Sequence, residues 1–357
     1  MTCFSESYRE ARSRFCAAAK RAGAKLVTYA MSDLHGIDGE DLAVDIAVMG
    51  DVHARRAALV VVGSHGAEAF AGSAVLLQWM DGNHPLPPDL KLVVVHGANP
   101  WGFSHMTRTT ENNVDLNRNF LASWEGRANP AYDQLAPYLH LRNLDATEIL
   151  AAYRAFRSHL DRHGWTLENE MIRGQTGHPH GLFYAGTGPE WANLTFRQIL
   201  RDHLSTVERI GFIDFHTGVG AFGEVVHLLF APPGSSERQR ALGWWGLTDE
   251  QGAPFAAGSM PRYEGLLCSA IRGEIHGAQV TGAVIEFGTA DHFALFRADC
   301  MDRWLRFDGR DDPDAAVLRC QYRDACTPAD LSWRRLVLKA GPDCMDALVR
   351  GVADWQD

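Results

Sequence analysis

Six short, almost uninterrupted apolar runs punctuate the chain: DIAVMG (45–50), ALVVVGS (58–64), KLVVVHG (91–97), RIGFIDFH (209–216), EVVHLLFA (224–231) and GAVIEFGT (282–289). A strand with one wet face alternates apolar and polar side chains, whereas a strand covered on both faces need not. Runs this short and this apolar predict strands sandwiched between helices. Many of the intervening stretches carry helical spacing; residues 67–80 open on small residues and place Phe70, Ala74, Leu77 and Met80 at helical intervals. The pattern predicts an α/β protein with a mostly parallel or mixed central sheet and helices on both faces.

Two regions depart from this rhythm. Residues 121–184 mix helical spacing with Pro, Gly and His, which predicts an elaborated segment beside the sheet's working edge. Residues 330–357 predict a C-terminal helical extension, read as a broken helical pair on the outside. Neither has the composition of a linker, so residues 1–357 are expected to form one domain.

At the N-terminus, Ser7-x-x-Glu10 followed by Tyr8, Ala11, Phe15 and Ala22 at helical spacing and then Gly23 predicts an amphipathic first helix rather than a signal peptide. No segment reaches the roughly 18 uncharged apolar residues a bilayer span needs, so no membrane partner is expected. With 34 basic against 44 acidic residues and no basic run, nucleic acid is not an expected partner either. Seven scattered cysteines without a C-x-x-C pair fit reduced thiols, and a cytoplasmic location is expected. No pattern bears on oligomeric state.

In an open parallel sheet, loops at the strands' carboxyl ends meet in one crevice. His65 and Glu68 follow the 58–64 run, His216 closes RIGFIDFH, and Glu286 sits near the end of GAVIEF. Zinc accepts imidazole nitrogen and carboxylate oxygen, and a catalytic site uses three protein ligands, His₂Glu among them, leaving a position for water. Alone, His65-x-x-Glu68 is a common chance pattern; with His216 and Glu286 at neighbouring strand ends it supports one zinc ion. Asp214 shares a strand face with His216 and is a candidate to orient its imidazole. Glu286, in apolar surroundings, reads either as a general base beside activated water or as a buried acid paired with an arginine.

A second cluster, HGANPWGFSHMTRTTENNVDLNRNF (96–120), brings Arg108 and Arg118 among an unusual density of asparagines. An arginine fork binds a carboxylate at two points and also stabilises a developing oxyanion; the plainer alternative is a surface salt bridge.

SHGAE, NPWGFSHMTRTTENNVDLNRNF, DFHTG and GAVIEFGT, in that order over residues 63–289, resemble the zinc carboxypeptidase superfamily. That superfamily includes carboxypeptidase A and the succinylglutamate desuccinylase and aspartoacylase amidohydrolases; more narrowly, the motifs resemble a bacterial branch known only as a domain of unknown function. The resemblance implies His65, Glu68 and His216 as zinc ligands, Glu286 as general base, Asn117 and Arg118 as the carboxylate-binding pair, and Arg108 as the group polarising the carbonyl. Tyr263 and Tyr184 compete for the place of the carboxypeptidases' mobile tyrosine. The implied activity is zinc-dependent cleavage of an amide in a small substrate, peptide or N-acyl amino acid, that bears a free carboxylate. The alternative from another class is a zinc-containing binding protein without turnover.

Gly218-x-Gly220-x-x-Gly223 matches a dinucleotide fingerprint formally, yet EVVHLLFA predicts a following strand where that motif requires a helix. His96, His105, His178 and His180 read as packed or solvated, with GHPHG (177–181) as a possible cleft lining.

Overall fold

The computed structural model describes residues 3–82, 84–252 and 261–356. Helix α1 (Tyr8–Arg21) starts where the Ser7 hydroxyl accepts from the Glu10 N–H at 3.2 Å, and Gly23 just beyond its end adopts a φ of +75°. Seven strands follow: β1 (Lys25–His35), β2 (Asp41–Gly50), β3 (Arg56–Val62), β4 (Leu90–His96), β5 (Arg209–Gly218), β6 (Val225–Leu228) and β7 (Gln279–Gly288). They form one sheet in the order β1-β2-β4-β3-β5-β7-β6. The pairs β4–β3, β3–β5 and β5–β7 are parallel, and β1–β2, β2–β4 and β6–β7 are antiparallel. The sheet is therefore mixed: the apolar runs of β3, β4, β5 and β7 form its parallel centre, while those of β2 and β6 flank it in antiparallel pairing. β1 is a strand that no apolar run announces: it is an edge strand, and of its residues only Met31 is buried.

One face is covered by α1, α2 (Ala69–Met80), α8 (Ser236–Trp245) and α12 (Leu331–Ala353), the other by α7 (Trp191–Leu204) and α9 (Leu267–Glu274). α3 (Pro100–His105) follows β4, capped by Asn99. Residues 121–184 hold α4 (Pro130–Leu139), α5 (Ala146–His163) and α6 (Thr166–Met171), which build a separate apolar cluster with α10 (His292–Phe307). α11 (Ala315–Cys326) packs beside α10.

The broken outer helical pair expected near the C-terminus is instead one helix, α12, that runs through Pro342. Trp333, Met345, Leu348 and Val352 are fully buried, so tertiary packing outweighs the local breaker. Gly341 fits this packing because a Cβ there would meet Val75 Cγ2 of α2 at 2.4 Å.

From β3 the chain passes to β4 on one side, and β5 later enters on the other. The carboxyl ends of β3 and β5 thus flank the topological switch point, where doubly wound sheets open a crevice.

Candidate metal centre and substrate pocket

His65 and Glu68 lie on the turn between β3 and α2, and His216 near the end of β5. The three are buried, and one ligand atom from each lies within 4.8 Å of the others. His65 Nδ1 is 2.9 Å from Glu68 Oε1, and His216 Nδ1 is 3.1 Å from Glu68 Oε2. Each imidazole is fixed from behind. His65 Nε2 is 3.0 Å from Asp115 Oδ1, while His216 Nε2 is 2.9 Å from Asp214 Oδ2 and 3.0 Å from Ser64 Oγ. Both rings therefore turn Nδ1 toward a common point, with the distal nitrogen held by an acceptor, as in carboxylate–histidine–metal arrangements. The expected role of Asp214 matches this contact. Asp115 is a partner that sequence reasoning passed over, although it stands inside VDLNRNF.

Glu68 stands at the N-terminal end of α2, where the helix dipole favours a negative charge, and its side chain accepts from the Thr217 N–H at 3.0 Å. Burial alone would push Glu68 up, but His65 and His216 hold it well below the usual carboxylate range. Burial works against the charged form of His216 too; Asp214 and Glu68 overcome it and raise the ring well above the ordinary histidine value. Two nitrogens and one carboxylate oxygen, buried and pre-aimed, form a donor set that fits zinc.

Glu286 is the register partner of His216 across β5–β7. No arginine pairs with it among the described residues; Oε2 accepts only from Val219 N–H, at 3.4 Å. Burial, with Glu68 adding and His216 opposing, pushes its carboxyl up to about 7.

Arg108 does not sit on the surface. Its Nε donates to Asp115 at 3.0 Å and its Nη1 to Glu68 at 3.3 Å. Asp302 of α10 fixes the loop beneath it, accepting from Thr107 Oγ1 at 2.6 Å and from Arg108 N–H at 3.0 Å. Arg118 is buried without any carboxylate in ion-pair reach among the described residues. Its Nε donates to Ile172 O and its Nη1 to Asn117 O, and its guanidinium lies 4.7 Å from the Tyr263 ring centroid. Burial, only partly offset by Asp115, lowers its pKa. Asn117 Oδ1 accepts from Leu267 N–H at 2.7 Å.

His65, Glu68, His216, Glu286, Arg108, Asn117 and Arg118 line one cavity of about 320 Å³, with Ser64, Asp115, Asp214 and Asp302 behind them. Its walls are the carboxyl ends of β5 and β7 on one side, with Leu228 and Val284, and the 121–184 segment with α10 on the other, with Phe156, Met171 and Phe296. Tyr263 lines it and Tyr184 does not; Tyr184 serves instead through its carbonyl, which accepts from Asp115 N–H. The GHPHG histidines do not reach the cleft: His178 pairs with Asp133 and His180 stacks on Phe307. Beyond β5, the strand β6 follows the glycines, as expected, so the dinucleotide pattern lacks its helix.

Fold and site together define an α/β protein with a buried His-Glu-His candidate metal centre at a sheet switch point. The chain belongs to the DUF2817 family, described as proteins of unknown function, which it matches over residues 4–340. No curated protein matches it in sequence. Among solved structures it is similar to thrombin-activatable fibrinolysis inhibitor, with 12% identity over 89% of this chain and 73% of that one and a TM-score of 0.46. It is similar as well to carboxypeptidase A from Helicoverpa armigera, with 10% identity, 90% and 74% coverage and a TM-score of 0.45. The ectoine utilization protein EutE (DoeB) from Ruegeria pomeroyi matches with 12% identity, 79% and 66% coverage and a TM-score of 0.36.

Proposed function

We propose that the protein is a zinc-dependent hydrolase cleaving an amide bond in a small substrate with a free carboxylate, peptide or N-acyl amino acid. The observation that carries this reading is one cavity lined by the His65–Glu68–His216 donor set, the unpaired acid Glu286 and the unpaired cation Arg118. A structural zinc site has no use for the last two.

A zinc ion held by His65, Glu68 and His216 supplies Lewis acidity toward a carbonyl and makes a water acidic near neutral pH. Glu286 takes the proton of the attacking water and passes it to the departing amine, a task open to a buried carboxylate that no arginine pairs with among the described residues. Arg108, with Nε and Nη1 engaged by Asp115 and Glu68, has its remaining Nη2 to offer a developing oxyanion. Arg118 and Asn117 hold the substrate's carboxylate. Seven scattered cysteines without a C-x-x-C pair are in keeping with a reducing location, the cytoplasm. Among the described residues no helix is long and apolar enough to cross a membrane.

The test pairs zinc content with amide hydrolysis for wild type and Glu286→Gln, over a panel of dipeptides and N-acyl amino acids. Glu286→Gln is expected to keep its zinc and lose about 10²–10⁴-fold in kcat. Full activity in a folded Glu286→Gln protein removes the base assignment; tight ligand binding by zinc-loaded wild type with no product from any amide favours a binding protein.

A further inference from the structure

His292, Leu295, Phe296 and Asp299, at i, i+3, i+4 and i+7 on one stripe of α10, line the pocket, with Ala298 beside them. Three of these have an evident place. Leu295 and Phe296 belong to the apolar wall, and His292 is bound on both sides, Nε2 at 2.8 Å from Glu168 and Nδ1 at 3.0 Å from Tyr153 Oη. Asp299 is different. It makes no hydrogen bond and no ion pair among the described residues, although Asp302, one turn on, has both oxygens engaged. Arg108, the cation that pulls on it most, makes no ion pair with it and gives Nε and Nη1 to Asp115 and Glu68. Burial pushes the Asp299 carboxyl up to about 6 against the pull of that arginine. A second group in the same cavity is equally idle: Thr289 Oγ1, beyond the end of β7, is buried with no hydrogen-bond partner among the described residues.

Asp299 is half-buried and lines the pocket without a protein partner among the described residues, and the buried Thr289 hydroxyl beside the same cavity is costly unless something satisfies it. The ligand that satisfies a carboxylate is a cation with protons to donate. Arg118, elsewhere in the pocket, asks for the opposite charge. We propose that Asp299 receives a free ammonium group on the acyl half of the substrate, so that the amide cleaved belongs to an unblocked, dipeptide-sized zwitterion rather than to an N-acylated amino acid. This inference rests on the hydrolase reading above and names its substrate class. A cavity of about 320 Å³ stands at the small end of ligand pockets, roughly 300–1,000 Å³, and its two apolar walls suit two apolar side chains.

Leu-Phe and N-acetyl-Leu-Phe share the scissile amide and the carboxylate and differ only in the ammonium, so they isolate the point. For zinc-loaded wild type, kcat/KM is expected to favour Leu-Phe at least about tenfold. Asp299→Asn is expected to lower kcat/KM for Leu-Phe by about 30-fold, the scale of removing one partner of a desolvated charge pair, and to leave N-acetyl-Leu-Phe unchanged. Equal use of the two by wild type, or equal loss on both in Asp299→Asn, overturns the proposal. The wild-type comparison decides it alone if the variant does not fold. Calorimetric Kd values for both compounds with zinc-loaded wild type and Glu286→Gln separate this proposal from its parent. A tenfold preference in binding with no turnover sinks the hydrolase and keeps the ammonium site; turnover without preference does the reverse, and no binding of Leu-Phe overturns the site.

Discussion

His65 Nε2 lies 3.0 Å from Asp115 Oδ1, and the same aspartate, through its other oxygen, accepts from Arg108 Nε at 3.0 Å. Asp115 therefore locks a candidate zinc ligand and a candidate oxyanion donor to one carboxylate. Burial opposes its charge, but Arg108 and His65 hold it well below the ordinary aspartate range. Asp115→Asn is expected to weaken zinc binding about 10–100-fold, the scale of losing an outer-shell partner, as measured by competition with a chromogenic chelator. An unchanged zinc affinity would show that the carboxylate does not orient His65.

Gly66, between the two ligands on the β3–α2 turn, tests backbone fit. A Cβ there would stand 2.0 Å from Gly102 C and 2.2 Å from Gly102 O, atoms of the α3 backbone that cannot rotate aside. Gly66→Ala is expected to cost about 1–3 kcal/mol, as overpacking does, and to weaken zinc binding with it. Gly243 is the contrast: it is exposed inside α8 with nothing within 4 Å of the position its Cβ would take. Gly243→Ala should stabilise by about 0.5–1 kcal/mol. Urea unfolding of both variants checks the pair, and equal effects of one sign would contradict the packing account.

His96 sets a pH dependence of stability. It is fully buried, stacked on Phe15 with ring centroids 4.3 Å apart, and its Nδ1 has no partner among the described residues. Burial, with Asp45 opposing, pushes its pKa down to about 4. In the unfolded chain it titrates near 6.5, so below that value the unfolded state binds a proton that the folded state refuses until about pH 4. Its contribution is complete above pH 6.5 and is lost as pH falls toward 4, at about 1.4 kcal/mol per unit. His96→Gln should flatten the fall of unfolding free energy between pH 6 and 4.5 by about that slope. Glu286 and Asp299, raised in the folded state, act in the opposite sense, and the wild-type minus variant difference removes them. Parallel curves for the two proteins would refute the assignment.

The parallel centre of the fold was legible because β3, β4, β5 and β7 are covered on both faces, and continuous burial writes itself as continuous apolar residues. The candidate ligands were legible for the same reason, since His65 and His216 interrupt or end those runs. β1 was not, because an edge strand exposing Thr28, Ser32 and Asp33 carries no such signature. The continuity of α12 was hidden behind Gly341-Pro342, where local propensity loses to the packing of Trp333 and Leu348. Asp115 and Asp299 escaped for a different reason. What each carboxylate faces depends on elements far away in sequence, His65 for the one and the opposite wall of the pocket for the other, and no spacing encodes that.

Arg118 offers the sharpest check on substrate charge. Ile172 O and Asn117 O pin Nε and Nη1, and Tyr263 lies against the plane, so the fork is held rigid before any ligand arrives. Lysine keeps the positive charge but loses the plane, the stacking and the two-point geometry. Under the proposed function, Arg118→Lys should raise KM for a dipeptide about 10–100-fold, the worth of charge-assisted hydrogen bonds, with little change in kcat and no change in zinc content. The C-terminal amide of the same dipeptide, which has no carboxylate to offer, is the control and should be used equally poorly by both proteins. If Arg118→Lys instead lowers kcat and leaves KM alone, the guanidinium acts on the transition state, and the carboxylate of the substrate must be bound elsewhere.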